Sequence, residues 1–173
     1  KLTKITDGAV AFDGTGDYME TATSADYQFG TGDFTVECFV YLKKDNANQI
    51  MVGNWGSSDG WQLYFTNTGD KFAWYRDGAI LISSGTVIKA NRWYHVAAAR
   101  TGSTTKLFVD GILEGSASDS NDYAQSKPLE IGRQQSTNTN LLDGFISNIR
   151  IVKGTALYTS RFTPPTAPLT NVT

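Results

Sequence analysis

The sequence predicts an all-β domain built as two antiparallel sheets packed face to face, and three observations predict it. Apolar and polar residues alternate with a period of two in roughly a dozen short runs, at the spacing of about 8–12 residues that signals a sandwich. Asp-Gly pairs at 7, 13, 59, 77, 110 and 143 punctuate those runs. Both residue types tolerate positive φ, so each pair is a turn signal. The composition is 18% charged and 12% aromatic with 17 glycines, a balance that suits strands better than helices. At 173 residues the chain holds one sizeable core, and it is read as a single domain over 1–173.

Residues 91–115 show the pattern most fully. Trp93, His95, Ala97 and Ala99 alternate with Tyr94, Val96, Ala98 and Arg100, as in a strand covered on both faces. A polar turn at Thr101–Thr105 leads to a strand at Lys106–Val109, Asp110-Gly111 forms a hairpin turn, and Ile112–Gly115 returns. No crossover helix fits between them, so the three make an antiparallel meander.

The other strands follow the same logic. Val10 and Phe12 mark a first strand, and Tyr18 and Glu20 a second. Phe34–Leu42 sets Phe34, Val36, Cys38 and Val40 on one face and Thr35, Glu37, Phe39 and Tyr41 on the other. Ile50–Gly53 is short; Trp61–Phe65 and Phe72–Arg76 form a hairpin; Asp77-Gly78 turns into Ala79–Ser83. Leu129–Gly132 and Phe145–Val152 complete the set. Only Tyr27–Gly30 and Thr155–Tyr158 suit a single helical turn. Residues 116–127 read as a solvated polar loop. Residues 163–173 follow as an extended, proline-rich C-terminal strap, because proline cannot donate to a ladder.

The bulk properties exclude several classes. Net charge is -2 and Lys and Arg are not clustered, so no nucleic-acid partner is expected. No apolar run is long enough to insert in a membrane, and none resembles a signal-peptide core. The first residue is Lys, which reads as an excised domain or a processed chain. Cys38, the one cysteine, sits in FTVECFV and is expected to be a buried thiol; no internal disulfide is available.

FDGTGDYMET, DFTVECFVY, NRWYHVAAAR with KLFVDG, LEIGR and the run from LDGFISNIR to FTPPTAPL resemble, in that order, the laminin-G-like and concanavalin A-like lectin/glucanase domains. The resemblance spans roughly residues 8–169. It implies a jelly-roll β-sandwich of the concanavalin A-like kind, whose curved sheet or rim loops often bind carbohydrate. The ending IRIVKGTALYTSRFTPPTAPL is similar to versions in bacteriophage virion and tail proteins, which implies a virion or extracellular surface location. The family includes lectins, calcium-dependent pentraxins, glycoside hydrolases and purely structural modules, so function rests on the site.

Hydrolases of this architecture carry paired carboxylates on one strand face, about 5–5.5 Å apart for retention. No such run occurs here; Glu37 and Glu130 each stand alone, and Glu20 and Glu114 lie at strand ends. His95 sits where the family has a structural residue. The expectation is that the domain is not an enzyme.

Calcium is the one cofactor the resemblance raises. The pentraxin-like Asp-Asn pair is matched by Asp45-Asn46, but Gln134, Gln135 and Ser136 stand where carboxylates belong. A second candidate is Asp13 with Asp17, joined by Asp143 or Asn148; the alternative is an aspartate-capped turn, which the sequence favours.

Sugar recognition needs an aromatic platform ringed by amides and charges. Trp55 is the foremost stacking candidate because it lies in the loop NWGSSDG, though a loop tryptophan also serves to cover a sandwich end. Gln62, Tyr64 and Tyr75 line the open sheet if Leu63, Phe65, Phe72 and Trp74 face inward, while Trp61, Trp74 and Trp93 read as core. Asn54, Asp59, Arg76, Arg133 and Gln134 are the expected polar partners. The leading expectation is a non-catalytic adhesion module for a glycan or host surface polysaccharide. The rivals are a structural decoration domain contacting other virion proteins and a hydrolase with a dispersed site at Glu37 or Asp59.

Overall fold

The computed structural model describes residues 8–56, 60–134 and 138–171. The strands are β1 Val10–Asp13, β2 Met19–Thr23, β3 Phe34–Leu42, β4 Gln49–Asn54, β5 Trp61–Thr66, β6 Lys71–Arg76, β7 Ala79–Ser83, β8 Trp93–Thr101, β9 Thr104–Val109, β10 Ile112–Ser118, β11 Pro128–Ile131 and β12 Asp143–Lys153. They form two six-stranded sheets in the orders β1-β12-β3-β8-β9-β10 and β2-β11-β4-β5-β6-β7. Every strand pairing is antiparallel, including the long-range pairs β1–β12, β3–β12 and β2–β11 that make the sandwich a jelly roll. The predicted fold class is the observed one.

Local chemistry accounts for the turns. Asp77-Gly78 and Asp110-Gly111 both take positive φ, at 47° and 80° and at 51° and 76°, the two-residue hairpin geometry that matches strand twist. Asp143-Gly144 differs from the expectation of a turn: it opens β12, and Gly144 is needed because a Cβ there would collide with the Tyr41 carbonyl oxygen. The helical turn expected at Tyr27–Gly30 forms earlier instead, at Ala25–Tyr27, where Ser24 accepts from the Asp26 backbone N–H at 3.1 Å. The second, at 155–158, does not form, because the chain there is held extended by the Thr35 hydroxyl. That hydroxyl donates to Thr155 O at 2.9 Å and accepts from Leu157 N at 2.8 Å.

The core follows from alternation. Phe34, Val36, Cys38, Val40 and Leu42 point inward from β3 and meet Trp61, Leu63, Phe65, Phe72 and Trp74 of the facing sheet. Trp61 and Trp74 stack at 5.3 Å and 14°, and each indole finds an acceptor: Tyr27 O at 3.0 Å and Tyr123 Oη at 3.0 Å. Such rings contribute about 3 kcal/mol each when fully buried. Trp93 corrects the expectation of a third core tryptophan. It is half-buried on the outer face, edge-on to Tyr41 at 5.8 Å. Cys38 is fully buried, and burial pushes its thiol well above the ordinary range.

One segment differs from the polar-surface expectation. In residues 116–127, Asp119 and Tyr123 are buried rather than solvated. Asp119 accepts from Thr105 Oγ at 2.6 Å and from Tyr123 Oη at 2.7 Å, so the loop is pinned by its own polar groups. Arg100, also buried, donates to Gly32 O at 2.9 Å, Asn121 O at 2.8 Å and Gly30 O at 2.7 Å, tying two loops to β8.

The C-terminal strap crosses the outer face of the first sheet. Tyr158 and Phe162 stack on each other and cover Ala97, Ala99 and Phe108. Beneath them Glu37 and His95 are fully buried. Glu37 Oε2 accepts from Tyr158 Oη at 2.9 Å and lies 2.8 Å from His95 Nε2. Arg150 Nε donates to Glu37 Oε1 at 2.7 Å. Asn148, at φ 53° in a bulge of β12, accepts from the Leu169 N–H at 3.2 Å and holds the end of the strap.

Candidate functional site

No described strand lies across the outer face of the second sheet, yet Ile50 and Ala73 on that face are fully buried. With Trp61, Leu63 and Phe65 inward, β5 presents Gln62 and Tyr64 outward, and β6 presents Ala73 and Tyr75. A bulge between Ile50 and Val52 lets β4 turn Ile50 outward and Val52 inward. Ile50, Tyr64 and Ala73 form a buried patch of their own against Tyr75.

Register builds a lateral row across this face: Glu20 opposite Glu130, Glu130 opposite Gly53, Gly53 opposite Gln62 and Gln62 opposite Tyr75. Neighbours in such a row are about 4.8 Å apart across each pair of strands. Gly53 is the gap in it. A Cβ there would fall 2.7 Å from Gln62 Cγ, so glycine lets the glutamine lie across β4. Gln62 is 3% exposed, and its side-chain amide makes no hydrogen bond within the described residues. An aromatic stripe runs beside it: Trp55 meets Tyr75 edge-on at 5.1 Å, and Tyr75 meets Tyr64 edge-on at 5.8 Å. Burial, helped by the neighbouring Tyr64 phenol, pushes the Tyr75 hydroxyl pKa up.

The other end of the row is ionic. Arg133 donates to both oxygens of Glu130, at 3.1 and 2.9 Å, and to Glu20 at 2.8 Å. Its guanidinium also lies 3.3 Å from the Tyr18 ring centroid. Burial raises the Glu130 carboxyl against the opposing pull of Arg133, and Glu20 adds to the rise.

The structure gathers some expected residues and separates others. Tyr64 and Tyr75 share the outer face, as alternation predicted, with Tyr64 the more buried of the two. Trp55 is corrected from an exposed platform to a ring 8% exposed, because it lies two residues past Gly53 on the same face and packs against Tyr75 and the close backbone of Gly60. Asn54 is fully buried on the core side; its Nδ2 donates to Lys127 O at 3.0 Å and its Oδ1 finds no partner among the described residues. Arg76 is also on the core side, 3.7 Å from Asp77 and 4.0 Å from Asp119. Neither reaches the aromatic stripe. Asp59, like Gln135 and Ser136, lies outside the described residues. Arg133 is on the face but engaged by carboxylates. Gln134 bridges to Thr139 and accepts from Asn140 Nδ2 at 2.6 Å, off the stripe. The Glu20–Glu130 approach escaped the sequence, where each looked isolated; only the β2–β11 pairing joins them.

The calcium candidates fare differently. Asp13 Oδ1 accepts from Thr15 N at 2.8 Å and Gly16 N at 3.1 Å, and Oδ2 accepts from Thr15 Oγ at 2.7 Å. Those donors hold its carboxyl well below the usual carboxylate range, and Asp17 contributes only its backbone N–H to the turn. Asp143 turns to Lys43 and Lys44, at 3.8 and 3.5 Å. Asp45 accepts from Ala90 N at 3.2 Å. Asn46 does meet the 138–141 loop, in a cleft of about 500 Å³ shared with Asn48, Asn67, Asn138 and Asn140. The donors there are amides, and among the described residues no three of His, Cys, Asp and Glu converge. This set does not fit calcium, which wants carboxylates in a shell of about six to eight oxygens.

Solved structures share this architecture. A Bacteroides ovatus protein provisionally assigned to carbohydrate binding superposes with a TM-score of 0.67 at 20% identity, covering 83% of this chain and 42% of that one. This chain therefore spans under half the length of that protein. The CBM40 domain of a Ruminococcus gnavus IT-sialidase, bound to α2,3 sialyllactose, superposes at 0.64 with 13% identity, covering 83% and 92%. Domain 4 of a GH43 extracellular arabinanase from Geobacillus stearothermophilus, in complex with arabinotriose, superposes at 0.65 with 14% identity, covering 87% and 75%. At these identities the likeness is one of fold. No curated protein matches the chain by sequence. A laminin G-type family profile matches residues 13–157, most of the sandwich just described, and the chain belongs to the concanavalin A-like lectin/glucanases superfamily.

Proposed function

We propose that this domain is a non-catalytic carbohydrate-binding module and that it binds glycan on the outer face of the second sheet. The observation that carries the reading is the Gln62 amide, nearly buried yet unbonded within the described residues, beside the Trp55–Tyr75–Tyr64 stripe. An amide offers donors and an acceptor in a fork that matches paired sugar hydroxyls, and Tyr75, half-buried, offers an apolar ring edge. The carbohydrate complexes of two distant neighbours support the reading at the level of fold.

Catalysis is not part of the proposal. Glu37 lies under the strap in contact with Arg150, and Glu130 is clamped by Arg133, so neither is placed as a free acid or base. Calcium is not part of it either, given the amide character of the Asn46 cleft. Display on a virion or another extracellular surface is proposed from the sequence resemblance of residues 149–169 alone. A glycan array followed by calorimetry on any hit tests the reading: Gln62→Ala and Tyr75→Ala are each expected to weaken the hit about tenfold. Binding unchanged by both would remove this face from consideration.

A second reading, a decoration domain held by protein contacts, is favoured by Val10, Tyr18 and Met19, each 45% exposed at the β1–β2 edge. It predicts self-association or capture by a particle that Met19→Ser weakens and Gln62→Ala leaves alone.

A further inference from the structure

We infer that the glycan taken by this face is neutral, and that carboxylated sugars are disfavoured there. The inference rests on the carbohydrate reading above and adds the ligand's chemical class.

A sugar carboxylate is recognised by a cation with free N–H groups, above all a guanidinium fork. On this face the guanidinium is already spent. Arg133 gives Nε and Nη2 to Glu130 and Glu20 and Nη1 to Asn138 Oδ1 at 3.4 Å, and Tyr18 covers its plane. The two carboxylates outnumber it, so the ionic end of the row carries a net negative charge. Arg76 is on the core side of β6 and already faces Asp77 and Asp119. Lys71 begins β6 and lies two positions beyond Ala73, at the far end from Trp55. Lys127 is exposed, with its stem against Gly56; holding that flexible side chain on a ligand costs conformational entropy.

What remains for a ligand is uncharged: the Gln62 amide and the Tyr64 and Tyr75 hydroxyls. Each can donate and accept, as sugar hydroxyls do, whereas a carboxylate only accepts. Glu130 sits two strands from Gln62, about 10 Å at ordinary strand spacing. A ligand two or three rings long on the stripe therefore brings one ring close to the acidic end, where a second negative charge is repelled.

The test uses matched pairs on the intact domain: lactose with 3′-sialyllactose, and galactotriose with trigalacturonate, with arabinotriose as a further neutral probe. Calorimetry at low salt is paired with amide chemical shifts to locate the contact. The expected result is shift changes around Gln62 and Tyr75 from a neutral probe, with its acidic partner weaker by about tenfold or more. Glu20→Gln, which removes the more exposed carboxylate, is expected to narrow that gap. An acidic partner that binds this face as tightly as its neutral counterpart overturns the inference and leaves the carbohydrate reading standing. If neither neutral nor acidic probes bind, the carbohydrate reading itself falls and takes this inference with it.

Discussion

Arg150 reaches Glu37 with both Nε, at 2.7 Å, and Nη2, at 2.6 Å, beneath a strap that belongs to the same chain. The contact joins β3 to β12, and Tyr158 of the strap completes it. Burial alone would raise the Glu37 carboxyl, but His95 and Arg150 outweigh it and hold the pKa below the ordinary value. A carboxylate depressed in the folded state stabilises fully above its unfolded pKa, about 4.3, and loses that contribution as pH falls through the lower folded value. Glu37→Gln is expected to cost about 3 kcal/mol at pH 7, the scale of removing one partner of a buried pair, and to flatten the acid limb of the stability curve. Urea unfolding at pH 7 and pH 3 measures both effects. A variant as stable as the parent at neutral pH would show that the network is neutral in energy.

Gly111 takes φ 76° and faces the Phe162 carbonyl, to which a Cβ would come too close. Phe162 N donates to Gly111 O at 3.0 Å, so the hairpin and the strap fix each other. Gly111→Ala is expected to cost about 1–3 kcal/mol and to loosen residues 155–171 first. Limited proteolysis should then cut the strap before the sandwich. Cleavage at parental rates would mean the strap is anchored elsewhere.

Trp55 and Tyr75 share an edge contact but differ in burial, so their truncations should separate. Tyr75→Ala is expected to weaken glycan binding about tenfold with little change in melting temperature, since its ring is half-exposed. Trp55→Ala is expected to lower both, because a large ring is withdrawn from the packed end of β4. Parallel calorimetry and thermal melts decide it. Equal thermal losses for the two would place Tyr75 in the packing rather than in a binding face.

Chelation is expected to change nothing. Asp13 is committed to the backbone of residues 15–17 and Asp45 to Ala90, and the Asn46 cleft is lined by amides. EDTA should leave the melting temperature and any glycan affinity where they were; a rise of several degrees on adding millimolar calcium would contradict this.

How much of this was written in the residues depends on range. Phe34–Leu42 and Ala79–Ser83 are strands to the residue, because alternation and Asp-Gly turns act locally. The inward direction of Leu63, Phe65, Phe72 and Trp74 was legible for the same reason, and with it the outward Gln62, Tyr64 and Tyr75. Partnership across the chain was not. Glu37 looked solitary until Arg150, 113 residues away, came beside it. Arg133 looked available to a ligand until β2 paired with β11 and brought Glu20 to it. The burial of Trp55 follows from its phase relative to Gly53, which depends on a bulge in β4 that alternation cannot show.

The strap also bears on where this domain ends. The family profile closes at 157, yet Phe162 packs edge-on against His95 at 5.6 Å, and Arg150 donates to Thr170 O at 3.1 Å. The unit that folds is therefore longer than the unit that similarity recognises. A boundary drawn at the end of the recognisable segment would remove Phe162 and the returning chain, and leave water access to a carboxylate, an imidazole and a guanidinium that the intact chain keeps covered.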